Sequence, residues 1–206
     1  MSGTSVKLTA TAASGSKFTG WSGACAGVTT SYCSVSMSEA KTATANFDIM
    51  TYGLTVNKSG NGSISGTGID CGTDCTESYN TGTSVVLTAT ADAGYRFYGW
   101  SGCSTTSGTS CTVNMTSTKT VTATFKPIYT LTITKTGTGS GTVTGTGISC
   151  GTDCTEDYLT GTSVTLSAKA DSGSRFTGWS GVCSGTSSCK VTLSAAKDVT
   201  ATFTSP

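Results

Sequence analysis

Short runs in which every second residue is apolar recur along the whole chain. Val6, Leu8, Ala10 and Ala12 alternate with polar residues, Val85, Leu87, Ala89 and Ala91 do so again, and Gly161 to Ala170 repeats the pattern. A period of two puts the apolar residues on one face of an extended chain, so each run predicts a half-buried strand. Other apolar positions follow in a fixed order: Phe18 and Trp21, then Val35 and Met37, then Ala43, Ala45 and Phe47. The same order returns as Phe97, Trp100, Val113, Met115, Val121, Ala123 and Phe125, and as Phe176, Trp179, Val191, Leu193, Val199, Ala201 and Phe203. No stretch shows a helical period. The pattern predicts an all-β to β-rich chain built from small antiparallel units.

The tryptophans set the period. Trp21, Trp100 and Trp179 are the three in the chain, spaced 79 residues apart both times, which marks an array of like units rather than one domain. A second element appears twice between them. Tyr52, Leu54 and Val56 predict a strand, Ser59-Gly60-Asn61-Gly62 predicts the turn of a hairpin, and Cys71-Gly72-Thr73-Asp74-Cys75 follows. Tyr129, Leu131 and Ile133, the turn around Gly137 to Gly141, and Cys150-Gly151-Thr152-Asp153-Cys154 repeat it.

With this element termed the A segment, and the Gly-Thr-Ser-Val to Phe stretch the B segment, the chain reads B-A-B-A-B. The expected domains are a partial repeat at residues 1–48 (second half only) and full repeats at 49–126 and 127–206. Lys126-Pro127-Ile128 reads as a stiff linker, because proline does not continue a central strand. One B segment has no A. It is expected to be a piece of a longer array, with a B that folds alone or is completed by another molecule as the alternatives. Donation between identical copies does not balance, since no copy has a spare A. Met1-Ser2-Gly3 is too short and too polar for a signal peptide, which points to a processed or excised chain.

Units of roughly 75–80 residues are small for a self-sufficient core, and ten cysteines are available as staples. An even count distributed by repeat indicates disulfides and an oxidising, exported location, extracellular or on a cell surface. Four cysteines per full repeat allow three pairings. The N-terminal B holds only Cys25 and Cys33, which are therefore expected to pair. By the repeat, Cys103 pairs with Cys111 and Cys183 with Cys189, leaving Cys71 with Cys75 and Cys150 with Cys154. The alternative is a four-thiolate zinc site from Cys71, Cys75, Cys103 and Cys111. The chain has no histidine, and the disulfide reading expects no metal and no cofactor.

The absence of histidine also removes the usual general base and any Ser-His-Asp triad. Asp74 with Glu77, and Asp153 with Glu156 and Asp157, lack the dense ligand spacing of a calcium loop and read as turn caps. Lys58 and Lys135 raise the idea of an amide crosslink, but residues 121–125 and 199–203 offer no Asn or Asp acceptor. A net charge of +1 with 11% charged residues excludes an electrostatic nucleic-acid binder. No apolar run is long enough for a membrane-spanning helix. Phe18, Trp21, Phe97, Trp100, Phe176 and Trp179 are read as repeat core, with flanking glycines allowing close backbone approach. The competing reading makes each Trp a platform for a sugar ring.

Gly-Thr-Ser-Val-x-Leu-x-Ala, Phe-x-Gly-Trp-Ser-Gly-x-Cys and Val-Thr-Ala-Thr-Phe together resemble the divergent InlB B-repeat family of bacterial surface and secreted proteins. The resemblance covers essentially the whole chain, as two full copies and one partial copy. It implies a compact β-rich unit, similar to a β-grasp, strung in tandem on exported proteins. It carries no catalytic residues. The missing A segment before Gly3 is the departure from the pattern. The expected function is non-enzymatic: a spacer, stalk or adhesin shaft, or the subunit of a surface fibre. The alternative is a carbohydrate- or surface-binding module using the repeated tryptophans. Expected partners are neighbouring repeats, other copies in a fibre, or a cell-surface or carbohydrate ligand.

Overall fold

The computed structural model describes residues 3–205. Met1, Ser2 and Pro206 lie outside the described residues, and with them most of the stretch read for a leader. Among the described residues every regular element is a strand. The N-terminal B comprises β1 (Thr4–Thr9), β2 (Ser16–Gly23), β3 (Tyr32–Met37) and β4 (Ala43–Ile49). The first A contributes β5 (Thr51–Ser59), β6 (Gly62–Gly66), β7 (Ile69–Asp70) and β8 (Thr76–Asn80). The second B contributes β9 (Ser84–Ala91), β10 (Tyr95–Ser101), β11 (Thr105–Ser107) and β12 (Ser110–Asn114), and β13 (Lys119–Thr136) leads out of it. The last A and B supply β14 (Gly141–Gly145), β15 (Ile148–Cys150), β16 (Thr155–Leu159), β17 (Ser163–Ala170), β18 (Arg175–Gly181), β19 (Cys189–Thr192) and β20 (Lys197–Thr204).

The chain divides into two compact units. One runs up to Asn57 and takes in Ile64–Ala89 and Trp100–Thr122. The other holds Lys58–Ser63, Thr90–Gly99 and the chain from Ala123 onward. In the first unit β1 pairs with β3, β2 with β4 and β5 with β8, all antiparallel. In the same unit β12 lies between β9 and β11.

The C-terminal repeat, wholly in the second unit, shows how a complete A-B pair closes a core. β18, β20, β13 and β16 are joined in one sheet, and β15, β14, β17 and β19 form another. Leu131 and Ile133 of β13, Val164 and Leu166 of β17, and Val199, Ala201 and Phe203 of β20 alternate inward to a shared buried cluster. The two-residue period is thus realised on both layers.

Two expectations need correction. First, the turn around Gly137 to Gly141 does not make a hairpin: β13 pairs with β20, while β14 pairs with β17 in the other sheet. The backbone oxygen and ring of Phe203 occupy the space where a Cβ on Gly137 or Gly141 would lie. The Gly139 N–H donates to the Phe203 carbonyl at 3.0 Å. The chain is therefore held against the end of β20 and passes from one layer to the other. Gly60 and Gly62 approach Phe125 in the same way.

Second, β13 runs unbroken through Pro127. Only the proline carbonyl is used there, accepting from the Thr160 N–H at 2.9 Å, while Ile128 supplies an N–H to the Gly94 carbonyl at 2.9 Å. A residue with no N–H fits where none is needed. At the earlier junction Met50 performs both tasks, donating to the Gly15 carbonyl at 2.9 Å and accepting from the Thr81 N–H at 2.8 Å.

The chain is built of small antiparallel sheets, as expected, and within them β13 and β20 pair in parallel, in the register Leu131↔Lys197 to Thr136↔Thr202. Parallel neighbours need a long crossover, and the rest of the repeat, from β14 to β19, provides it.

Candidate functional site

The strongest recurring constellation is Phe-x-Gly-Trp with the cysteine loop that follows. In a regular strand, residues three apart point to opposite faces. Phe18 and Trp21 nevertheless share a face, because the β2–β4 register slips between Phe18 and Gly20. Phe18 stands opposite Phe47, and Trp21 opposite Ala45, two residues away on the partner. The same bulge lies between Phe176 and Gly178, with Phe176 opposite Phe203 and Trp179 opposite Ala201. Gly20 and Gly178 take φ of 146° and 150° at this point, a conformation that L side chains rarely adopt. The Gly before each of these two tryptophans is thus required by the bulge. The sequence carried the signal, a Gly inside a strand pattern, but the bulge was not read from it.

The aromatic rings then meet edge to face. Phe18 lies 5.7 Å from Trp21 and 5.6 Å from Phe47, Phe97 lies 5.8 Å from Phe125, and Phe176 lies 4.9 Å from Trp179. Each indole N–H donates to a backbone carbonyl inside the adjoining cysteine loop. Trp21 reaches Thr30 at 3.0 Å, Trp100 reaches Thr109 at 3.0 Å, and Trp179 reaches Ser187 at 2.6 Å. Those loops are closed by Cys25–Cys33, Cys103–Cys111 and Cys183–Cys189, with Cα–Cα separations of 6.0, 5.7 and 5.8 Å. The indole N–H therefore pins the loop, and at Trp21 and Trp179 the ring also meets phenylalanine. Trp179 is buried, whereas Trp21 and Trp100 are half-buried.

The A segments carry the other two bridges, Cys71–Cys75 and Cys150–Cys154, at Cα–Cα separations of 4.4 and 4.3 Å. All ten cysteines are bridged, so none offers a thiolate to zinc. Tyr79 and Tyr158 reach back over these loops, their hydroxyls donating to the Thr67 and Thr146 carbonyls. Burial raises both tyrosine hydroxyls above the ordinary value. The negative charge of Glu77 adds to the effect at Tyr79, and Glu156 and then Asp153 add to it at Tyr158. This tyrosine latch was not read from the sequence.

The acidic residues are engaged locally. Asp74 accepts from the Thr76 N–H at 3.1 Å, and Asp153 from the Thr155 N–H at 3.3 Å, as side chains that cap turns do. Glu77 accepts from the Ser78 N–H at 2.7 Å, and Asp157 from the Thr130 hydroxyl at 2.6 Å. Among the described residues no group of three or more His, Cys, Asp or Glu is fit to hold a metal ion. Lys58 and Lys135 donate to the carbonyls of Gly62 and Gly141 at 2.9 and 3.0 Å, so each straps the turn that carries the chain between layers. Among the described residues no helix is long and apolar enough to cross a membrane.

A bulge-set Phe–Trp pair holding a disulfide loop, repeated along an all-β chain, defines a class of tandem, covalently pinned β-repeats. Three consecutive matches, at residues 1–51, 52–129 and 129–206, place it further: the chain belongs to the divergent InlB B-repeat domain family. No curated protein matches the chain. Solved structures similar to it include the Bacillus anthracis TIE protein, at 9% identity and TM-score 0.29, covering 99% of this chain and 52% of that one. The major pilin T-13 of Streptococcus pyogenes matches at 12% identity and TM-score 0.27, covering 76% of this chain and 97% of that one. The pilus adhesin SpaC of Lactobacillus rhamnosus GG matches at 9% identity and TM-score 0.28, covering 98% and 44%. The chain thus spans about half the length of the TIE protein chain. Superpositions this loose carry no argument about function.

Proposed function

We propose that the chain is an extracellular tandem-repeat structural segment, a spacer, stalk or adhesin shaft, divided into repeats at residues 1–48, 49–126 and 127–206. One observation carries the reading. The most distinctive recurring chemistry, Trp plus cysteine loop, is directed inward: in every repeat the indole N–H holds the backbone of a loop that a disulfide already closes. Such loops are the parts of a Gly/Ser/Thr-rich chain that proteases reach first. Short bridges across them guard the array in an oxidising compartment. Asp74 and Asp153 cap turns and the chain has no histidine to act as a general base, which supports a non-enzymatic role.

A second reading keeps one supporting observation. Trp21 and Trp100 are half-buried, leaving part of each ring to meet a sugar, and linked copies would add avidity. The two readings separate in one experiment. Oxidised and disulfide-reduced chain are digested with chymotrypsin, and oxidised chain is titrated with oligosaccharides while tryptophan emission is followed. The structural reading expects the oxidised chain to survive where the reduced chain is cleaved, with emission unmoved by any glycan. A saturable emission shift, with no protection from the bridges, would replace it by the binding reading.

A further inference from the structure

The two junctions between repeats share their backbone bonds but not their surface. At the first, Lys17 stands opposite Asp48, and Thr19 follows two residues along the same strand. At the second, the matching positions hold Arg96, Lys126 and Tyr98. In the A segments, Gly53 opposite Ser78 becomes Thr130 opposite Asp157. Thr76 and Glu77 are kept, as Thr155 and Glu156. Most of these positions converge. Arg96, Thr130, Thr155, Glu156 and Asp157 line one open cleft of about 480 Å³, within the size range of small-ligand sites.

The groups in the cleft are not spent on one another. Among the described residues the Arg96 guanidinium makes no hydrogen bond or ion pair, although two carboxylates share the cleft with it. The Thr130 hydroxyl donates to Asp157 Oδ1 at 2.6 Å, which fixes that carboxylate and leaves Oδ2 to accept. Beside the cleft stands an aromatic ring. Tyr98 is 58% exposed, and the Lys126 Nζ lies 3.3 Å from its ring centroid, a cation–π contact that holds the ring in place. Arg96 and Tyr98 are both exposed, about 7 Å apart along β10.

The chemistry selects a class of ligand. Arg96 offers donors only, Glu156 and Asp157 offer acceptors only, and the hydroxyls of Thr130 and Thr155 serve as either. A ligand with net charge of either sign meets a like charge here. A neutral polyhydroxylated ring does not: its hydroxyls donate to the carboxylates and accept from the guanidinium, and an apolar C–H face suits an aromatic ring. We propose that this cleft is a binding site for a neutral oligosaccharide, with one sugar ring between Arg96 and Asp157 and the next against Tyr98. The site is separate from the tryptophans, none of which lines the cleft. A structural shaft can carry such a site on its side, so failure of this inference leaves the structural reading standing.

The test titrates the full oxidised, isotope-labelled chain with maltotriose, cellotriose, mannotriose and N-acetylchitotriose at millimolar concentration, and with trigalacturonate as the charged control. Backbone amide shifts are followed by NMR. The expected result is a saturable shift with at least one neutral trisaccharide, confined to residues 95–98, 126–132 and 155–158, and none with trigalacturonate. Tyr98→Thr and Asp157→Ser install residues that the first junction already carries, so both variants are expected to keep the wild-type spectrum elsewhere. Each is expected to bind at least about tenfold more weakly. No shift with any of the four neutral sugars, unchanged affinity in both variants, or preference for trigalacturonate would overturn the proposal. Shifts centred on the tryptophan loops would overturn it too, in favour of the tryptophan platform.

Discussion

Phe47 and Phe203 occupy the same place in two B segments and have different fates. Each stands opposite the phenylalanine of the neighbouring strand, Phe18 or Phe176, two residues from the alanine that faces the tryptophan. Yet Phe47 is 41% exposed and Phe203 is 1% exposed. Pairing, bulge, indole bond and disulfide are common to both regions, so a B segment encodes them without help. Burial differs because only the C-terminal B has an A segment laid across it. The N-terminal repeat keeps a small buried cluster of Cys25, Cys33 and Val35, where the C-terminal repeat buries apolar residues from both sheets. Secondary structure in this chain is local to B, whereas the hydrophobic core of the C-terminal repeat is a joint product of A and B.

The sharpest way to break this comparison is to truncate the two phenylalanines. Phe203→Ala is expected to cost about 3–5 kcal/mol, as for a fully buried ring. Phe47→Ala is expected to cost about 1 kcal/mol or less, as for a surface position. Urea unfolding followed by hydrogen exchange in each repeat reads both. Equal losses would mean that the A segment does not create the core.

A smaller effect is expected from the bridges. Replacing Cys25 and Cys33 together by Ala removes roughly 2–3 kcal/mol of chain-entropy stabilisation, together with most of the small buried cluster. The N-terminal repeat is expected to lose exchange protection over residues 4–49. The corresponding change at Cys183 and Cys189 is expected to leave the C-terminal strands protected. Retained protection after the N-terminal change would show that strand pairing alone sustains a B segment.

The mildest expected effect concerns the tyrosine latch, which only A-bearing repeats possess. Tyr158→Phe removes one hydrogen bond, worth about 1 kcal/mol. Because the folded hydroxyl titrates above its unfolded value, its contribution is complete below the unfolded value. It is lost as pH rises through the folded one. Wild-type chain is therefore expected to lose stability in the alkaline range, and the double variant Tyr79→Phe, Tyr158→Phe to lose less. Superimposable alkaline unfolding curves would remove the latch from the account.

The β class, the succession of strands along the chain and the family were legible in the sequence because they depend on alternation and on a period of 79 residues. Val85, Leu87 and Ala89 face inward as their spacing implies. What escaped depends on partners distant in the chain. Phe18 and Trp21 look out of phase until β4 shows the bulge, and the glycines around residue 139 look like a hairpin until Phe203 is placed beneath them. Pro127 reads as a stop when its own preferences are considered. It reads as a continuation once Thr160 and Gly94 show which backbone groups the junction uses. Asp74 and Asp153 were recognisable as turn caps, but Lys58 and Lys135 suggested only a crosslink until the Gly62 and Gly141 carbonyls were seen to accept from them.

The parallel alignment of β13 and β20 has a consequence for load. β13 enters the C-terminal repeat from its N-terminal side and β20 leaves it at Thr204, running in the same direction over six paired positions. Tension applied along the polypeptide draws the two strands past one another lengthwise. The hydrogen bonds between them are then strained together in shear instead of being peeled apart in turn. Rupture under force is governed by the unfolding rate, and a ladder that must fail all at once gives a high barrier to that step. The connection that makes this repeat topologically long thus also makes it resistant to pulling.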